Sequence, residues 1–135
     1  MILVDASVLI DHFRGTANRQ SDQFGRWLAG LDGAPDLGVA DLVVFEVVRG
    51  FPTVQAQIRA RDLLLALEVV DIGGLDNALH AAALYQRLRR SGRTVRSPVD
   101  VLLASYCITQ GHTLLHRDAD FDALKTLGGL DTWPH

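Results

Sequence analysis

Ile2-Leu3-Val4-Asp5-Ala6-Ser7-Val8-Leu9-Ile10 sets the pattern of the whole chain: a short apolar run, an acid, then a segment of helical period. The run reads as a strand, and the residues from about Ser7 to Arg14, closed by Gly15, read as a helix. Further apolar runs predict strands at Leu37–Val39, Glu68–Val70, Thr113–Leu115 and Leu130–Trp133. Between them lie longer helical patterns. Phe24, Trp27, Leu28 and Leu31 recur at helical spacing from Ser21 to Leu31, and Asp41 stands where an N-cap would open a third helix reaching Gly50. Pro52-Thr53 precedes a fourth helix to about Leu67. Two more run from about Asp76 to Arg90 and from Ser97-Pro98 to Gly111. Short strands alternating with helices predict an α/β fold whose four to five parallel strands are joined by helical crossovers.

With 135 residues, 48% of them hydrophobic, the chain suits one domain spanning 1–135 with a core of its own. The only cysteine, Cys107, excludes an internal disulfide, and the start lacks a basic leader before Asp5, so a cytoplasmic setting is expected. No apolar run approaches the roughly 20 residues that a membrane-spanning helix needs. The formal net charge of -3 argues against whole-surface attraction to nucleic acid and leaves local basic patches as the alternative.

Four carboxylates interrupt apolar stretches. Asp5 ends the first run, Glu46 lies within Leu42-Val43-Val44-Phe45-Glu46-Val47-Val48, Asp100 opens Val99-Asp100-Val101-Leu102-Leu103, and Asp118 follows Leu114-Leu115. In open parallel sheets, ligands bind beyond the carboxyl ends of the strands. Asp5 and Asp118 follow two such ends. The helix that feeds the Thr113–Leu115 strand must begin at that same edge, which brings Asp100 there, and Glu46 joins by the reach of its longer side chain. Each acid also has a purely structural reading. Asp5 could cap the helix after it, Asp100 could complete a capping box with Ser97, Arg49 at i+3 could pair with Glu46, and Asp120 could cap a last short helix.

An all-oxygen site suits Mg²⁺ or Mn²⁺ rather than zinc, because neither Cys107 nor the scattered histidines supply a thiolate or a paired-imidazole pattern. Such a cation would neutralise acids that otherwise raise one another's pKa, and it is commonly completed by substrate phosphate oxygens. Hydrolysis of a nucleic acid phosphodiester follows from that chemistry. Ser7 stands where it could hold a water or a phosphate beside Asp5. Arg87, Arg89, Arg90, Arg93 and Arg96 gather just before the Asp100 helix, where they could grip a phosphate backbone, or the first three could instead complement a helix C-terminus and face solvent, and Arg117 adjoins Asp118.

The motifs Leu3-Val4-Asp5-Ala6-Ser7-Val8-Leu9-Ile10, Glu46-Val47-Val48-Arg49-Gly50, Pro98-Val99-Asp100-Val101-Leu102-Leu103-Ala104 and Leu114-Leu115-His116-Arg117-Asp118-Ala119-Asp120-Phe121 together resemble PIN-domain ribonucleases. More narrowly, the chain resembles the VapC toxins of bacterial type II toxin–antitoxin pairs. The resemblance covers essentially the whole length with the motifs in the family's order. It implies an α/β/α sandwich and Mg²⁺- or Mn²⁺-dependent endonucleolytic cleavage of RNA that stops translation and growth. It also implies a catalytic quartet of Asp5, Glu46, Asp100 and Asp118, with Asp5, Asp100 and Asp118 as metal ligands and Ser7 and Asp120 in support. Arg93, Arg96 and Arg117 are the expected RNA contacts. The implied partners are a VapB-type antitoxin, whose C-terminal segment lies in a helix-lined groove, and a second copy in a homodimer. Phe24 and Trp27 either line that groove or pack in the core. His116 departs from the family, where related sequences often carry Thr or Ser.

Two rivals remain. A phosphotransfer domain of similar topology would need a partner lysine, yet the only lysine is Lys125, and a dehalogenase-like phosphatase would carry a second Asp where Ser7 stands. A catalytically silent module would use the acidic pocket to bind a basic peptide.

Overall fold

The apolar runs pair as parallel strands in a computed structural model that describes residues 1–134; position 135, the last of the expected domain, lies outside them. The strands are β1 (Ile2–Val4), β2 (Leu37–Ala40), β3 (Glu68–Val70), β4 (Thr113–Leu115) and β5 (Asp131–Trp133). They form one all-parallel sheet in the order β3-β2-β1-β4-β5. Leu3 lies in register with Gly38 on one side and Leu114 on the other. Parallel sheets need both faces covered, and Leu3, Val4, Val39, Leu114 and Leu115 have no exposed surface.

Among the described residues the connections are α1 (Ala6–Arg14), α2 (Arg19–Leu28), α3 (Asp41–Arg49), α4 (Val54–Leu65), α5 (Leu75–Arg90), α6 (Pro98–Gln110) and α7 (Asp120–Gly128). They pack in two groups. α1 meets α2 and α3, and α3 meets α4, whereas α5, α6 and α7 pack on one another. From β1 the chain moves outward to β2 and β3, then returns to β4 and β5 on the other side. Right-handed crossovers in these two opposite directions put the two helical groups on opposite faces of the sheet. Strand order therefore reverses between β1 and β4, and a crevice opens beyond their carboxyl ends.

Several helix boundaries differ from those expected. Asp41 is the first residue of α3 rather than its N-cap, which is Ala40; the Asp41 carboxylate instead accepts hydrogen bonds from the Leu42 and Ile72 N–H groups, tying α3 to the chain leaving β3. α2 begins two residues earlier, where Asn18 caps it through the Ser21 N–H, and it stops before Leu31. Leu31 is exposed, so its helical spacing reflects no buried face. Phe24 and Trp27 are buried, Phe24 against the His12 ring and Trp27 edge-on to Trp133, so they belong to the core rather than to a groove. Cys107 is buried in α6, where desolvation pushes its thiol up to about 12.

Gly38 fixes the spacing of the central strands. A Cβ there would lie 2.6 Å from Met1 Sδ, 2.8 Å from Leu3 Cδ2 and 3.1 Å from the Glu68 carbonyl oxygen. Gly38→Ala is expected to destabilise the fold by about 1–3 kcal/mol through overpacking, measured by urea denaturation with an unchanged m-value. A variant as stable as the wild type would show that β1 and β3 shift freely.

Candidate metal and nuclease site

Asp5 leaves β1 and is itself the N-cap of α1, so capping and a place in the crevice coexist. Its Oδ2 accepts from the Ser7 N–H at 3.1 Å and from the Ser7 hydroxyl at 2.6 Å. Its own N–H donates to the Leu115 carbonyl, which carries the β1–β4 pairing to the edge of the crevice. The Ser7 hydroxyl oxygen in turn accepts from the Arg117 N–H at 3.0 Å. One side chain thus joins the end of β1 to the loop after β4.

That loop is held by its own side chains. The Asp118 N–H donates to His116 Nδ1 at 3.2 Å, and the Asp120 N–H donates to Asp118 Oδ1 at 3.0 Å, an Asx turn. Asp120 is therefore the first residue of α7, and Ala119 is the N-cap, without a side-chain bond. The expected capping role of Asp120 is not realised, and its carboxylate is left for other partners. Likewise Ser97 is the N-cap of α6 but makes no side-chain capping bond, so no capping box occupies the Asp100 carboxylate.

Asp100, Asp118 and Asp120 each offer a carboxylate oxygen, and these three atoms lie within 4.8 Å of one another. Burial is the main reason that the Asp100 carboxyl is pushed up to about 7, and the charges of Asp5, Asp118, Glu46 and Asp120 add to it in that order. Four acids therefore act on the fifth. Desolvation likewise raises Asp5, against the lowering effect of its bonds to Ser7, and raises Glu46, with the Asp5 charge adding to it. Asp5 is electrostatically part of the cluster, although the tight trio is formed with Asp120.

Glu46 lies in the second turn of α3. Its Oε1 is buried without a hydrogen-bond partner. Arg49, the structural alternative, places its guanidinium 5.2 Å from the centre of the Phe45 ring and forms no ion pair with Glu46 among the described residues. The arginines separate into distinct roles. Arg87 donates to the Leu127 carbonyl at 2.6 Å and thereby complements the end of α7, Arg117 pairs with Asp11 at 3.5 Å, and Arg96 pairs with Asp120 at 3.5 Å. Sequence reasoning missed the Arg96–Asp120 pair and the accepting role of His116. The Asp-x-Asp spacing of 118 and 120 was the available signal for the trio.

The family model described as PIN domain matches residues 2–127, and the chain belongs to that family. Ribonuclease VapC11 of Mycobacterium tuberculosis is 29% identical over 130 residues, 96% of each chain. The fold is similar to that of VapBC2 from Rickettsia felis bound to a promoter DNA fragment, with a TM-score of 0.77 at 18% identity over 98% of this chain and 97% of the other. It is also similar to Mycobacterium tuberculosis VapC20, described as a sarcin–ricin loop cleaving toxin, with a TM-score of 0.67 at 18% identity over 91% and 94%.

Two outcomes follow from the geometry. A carboxyl whose pKa is higher folded than unfolded binds its proton more tightly in the folded state, so stability is lost as pH rises between the two values. For Asp100 that window runs from about 4, where an unfolded aspartate ionises, to about 7. Melting temperatures in EDTA should fall across this window, and Asp100→Asn should melt higher than the wild type above pH 7 with a shallower slope. Equal melting curves would mean that the acids do not crowd. Second, His116→Ser re-creates a side-chain acceptor two residues before the Asp118 N–H, whereas His116→Phe keeps the ring against Phe121 without one. Calorimetric titration with Mn²⁺ should give near-wild-type affinity for the Ser variant and about tenfold weaker binding for the Phe variant. Wild-type affinity in the Phe variant would remove the positioning role of His116.

Proposed function

We propose that the protein is a metal-dependent endoribonuclease, the toxin of a type II toxin–antitoxin pair, which hydrolyses RNA phosphodiester bonds and so stops translation and growth. The observation that carries the reading is the convergence of four carboxylates on Asp100. The donor set fits a hard divalent cation, Mg²⁺ or Mn²⁺: it is all oxygen, and the Cys107 thiol is buried in its protonated form. Asp5, Asp100 and Asp118 are the residues to hold the ion, and the compact trio adds Asp120 to them. When bound, the cation neutralises the acids, polarises the phosphodiester and makes a water more acidic.

The rest is done by the chain itself. Ser7 keeps the Asp5 carboxylate oriented and anchors the Asp118 loop to the same point. Glu46 Oε1, buried and unpaired, is the acceptor that orients the attacking water and takes up its proton. Arg96, Arg93 and Arg117 contact the RNA backbone around the cut.

The similarity to Ribonuclease VapC11 over nearly the full length supports the activity, and the likeness to VapBC2 and VapC20 supports the toxin scaffold. A VapB-type antitoxin and a second copy of the chain are the proposed protein partners. Phe45 is 61% exposed directly beside Glu46, and Val54, Ile58 and Leu65 are exposed on α4, apolar surface suited to a protein partner. No helix among the described residues is long and apolar enough to cross a membrane, and we assign the chain to the cytoplasm.

Induction in growing bacteria should arrest growth and create new RNA 5′ ends at recurring positions, while Asp5→Asn should do neither. In vitro, Asp100→Asn should lose Mg²⁺-dependent cleavage of an RNA panel. Growth arrest without new ends, or equal activity in both chains, would favour a silent module that binds a basic peptide.

A further inference from the structure

Tyr85 stands on α5 with its side chain partly exposed, between two concavities. One, of about 310 Å³, is bordered by Arg89, Gly92, Arg93 and Thr94. The other, of about 390 Å³, is bordered by Val95, Arg96, Pro98, Val101 and Leu102. Both volumes fall in the range of roughly 300–1,000 Å³ found for small-ligand sites. The Arg89 guanidinium lies 6.0 Å from the centre of the Tyr85 ring, and its Nη1 donates to the phenolic oxygen at 3.3 Å. Arg93 makes no side-chain ion pair among the described residues. Arg96 borders the second concavity and pairs at 3.5 Å with Asp120, itself one of the three clustered acids.

These residues form a continuous path. It begins at the acids, passes through Arg96 to an aromatic ring, and ends at Arg89 and Arg93. A path that alternates guanidinium groups with a partly exposed aromatic ring matches a single nucleic acid strand, whose phosphates need cations and whose unpaired bases need a stacking surface. A duplex keeps its bases stacked and has no use for the ring. A basic protein partner is disfavoured by the arginines, and an acidic one gains nothing from an aromatic face beside the metal-binding acids.

We propose that Tyr85 is a stacking platform for an unpaired RNA base flanking the cleaved bond, with Arg89, Arg93 and Arg96 taking the adjoining phosphates. The inference rests on the ribonuclease reading and adds to it one contact, the ring that takes an unpaired base beside the cut. The site accepts any base by stacking, so Tyr85 selects for strandedness, and choice among sequences falls to other contacts.

The test reads binding apart from cleavage. Fluorescence anisotropy in Mg²⁺, with every protein carrying Asp100→Asn, compares a labelled unpaired RNA oligonucleotide with its full duplex. Tyr85→Leu, which keeps apolar bulk without a π-face, should weaken binding of the single strand about tenfold, as loss of one stacked base predicts, and leave the duplex unchanged. Tyr85→Phe should stay within about twofold of the parent. Arg93→Glu should weaken binding and reduce the salt slope by about 0.7, the value for one single-strand phosphate. Equal single-strand affinity in Tyr85→Leu overturns the proposal. So does loss of self-association or of antitoxin binding in that variant without a change in RNA affinity, which would make the face a protein interface. If Tyr85-dependent binding is found but the chain without Asp100→Asn cuts no RNA, the ribonuclease reading fails and the subsite stands. If no RNA binds, both fail.

Discussion

Mutual repulsion among carboxylates held out of water is the constraint on which this structure turns. Like charges a few ångströms apart in a partly buried site repel one another strongly; Asp118 and Asp120 stand at that range from Asp100, and the charges of Asp5 and Glu46 add to theirs. Burial first, and that repulsion after it, favour protonation, which is why its carboxyl is held near neutrality rather than in the usual carboxylate range. A divalent cation removes the repulsion that remains. The fold thus gives up stability in the metal-free state at the point where it gains affinity for a hard ion, and its stability has to come from elsewhere: the fully buried strands and the aromatic contacts of Phe24 and Trp27.

Holding acids together against repulsion requires donors, and here the donors are supplied locally. Ser7 gives Asp5 two hydrogen bonds from its N–H and hydroxyl, and Asp118 receives one from the Asp120 N–H. Ser7 also accepts from the Arg117 N–H, so the β1 end and the β4 loop are cross-linked by a single hydroxyl. His116 completes the arrangement. Its Nδ1 accepts the Asp118 N–H, the bond that a Ser or Thr side chain makes two residues before its donor. The departure from the family pattern therefore keeps the acceptor and changes only its chemistry, with the imidazole additionally packed on Phe121.

The strands and the convergence of the acids were legible because both follow from rules with little freedom. Apolar runs of three or four residues between helices permit only a parallel sheet, and a parallel sheet with one reversal of strand order has one crevice. Asp5 and Asp118 had to meet there. Helix starts were less legible, because an aspartate at the first helical position reads like a cap when the true N-cap is an alanine with no side chain to mark it. Asp41 and Asp120 looked like caps and are first helical residues instead, because Asp41 reaches across 31 positions to the Ile72 N–H and Asp118 closes the turn before Asp120. Leu31 misled for a different reason: helical spacing records a pattern, not burial. The pairing of Arg96 with Asp120 was invisible, since no local rule connects a loop residue to an acid 24 positions later.

On the ribonuclease reading, that pair suits a chain of net charge -3 to a polyanionic substrate. Acids that recruit a cation repel phosphates until the ion is bound, so the approach must be basic while the centre stays acidic. Arg96 stands at the boundary, and its side chain is 85% exposed. The Asp120 arm is largely buried but the arginine arm stands in water, and ion pairs with so exposed a partner are weak, so Arg96 would exchange Asp120 for a phosphate at modest cost. The exchange would leave the Asp120 carboxylate to a bound cation. On the ribonuclease reading, a bound cation and an RNA strand would favour the same rearrangement, in which Asp120 leaves Arg96 for the cation and the freed guanidinium takes a phosphate. By linkage, two ligands that each stabilise the same state bind more tightly together than alone. The acidic centre and the basic approach would in this sense be one device, coupled through a side chain that serves each in turn.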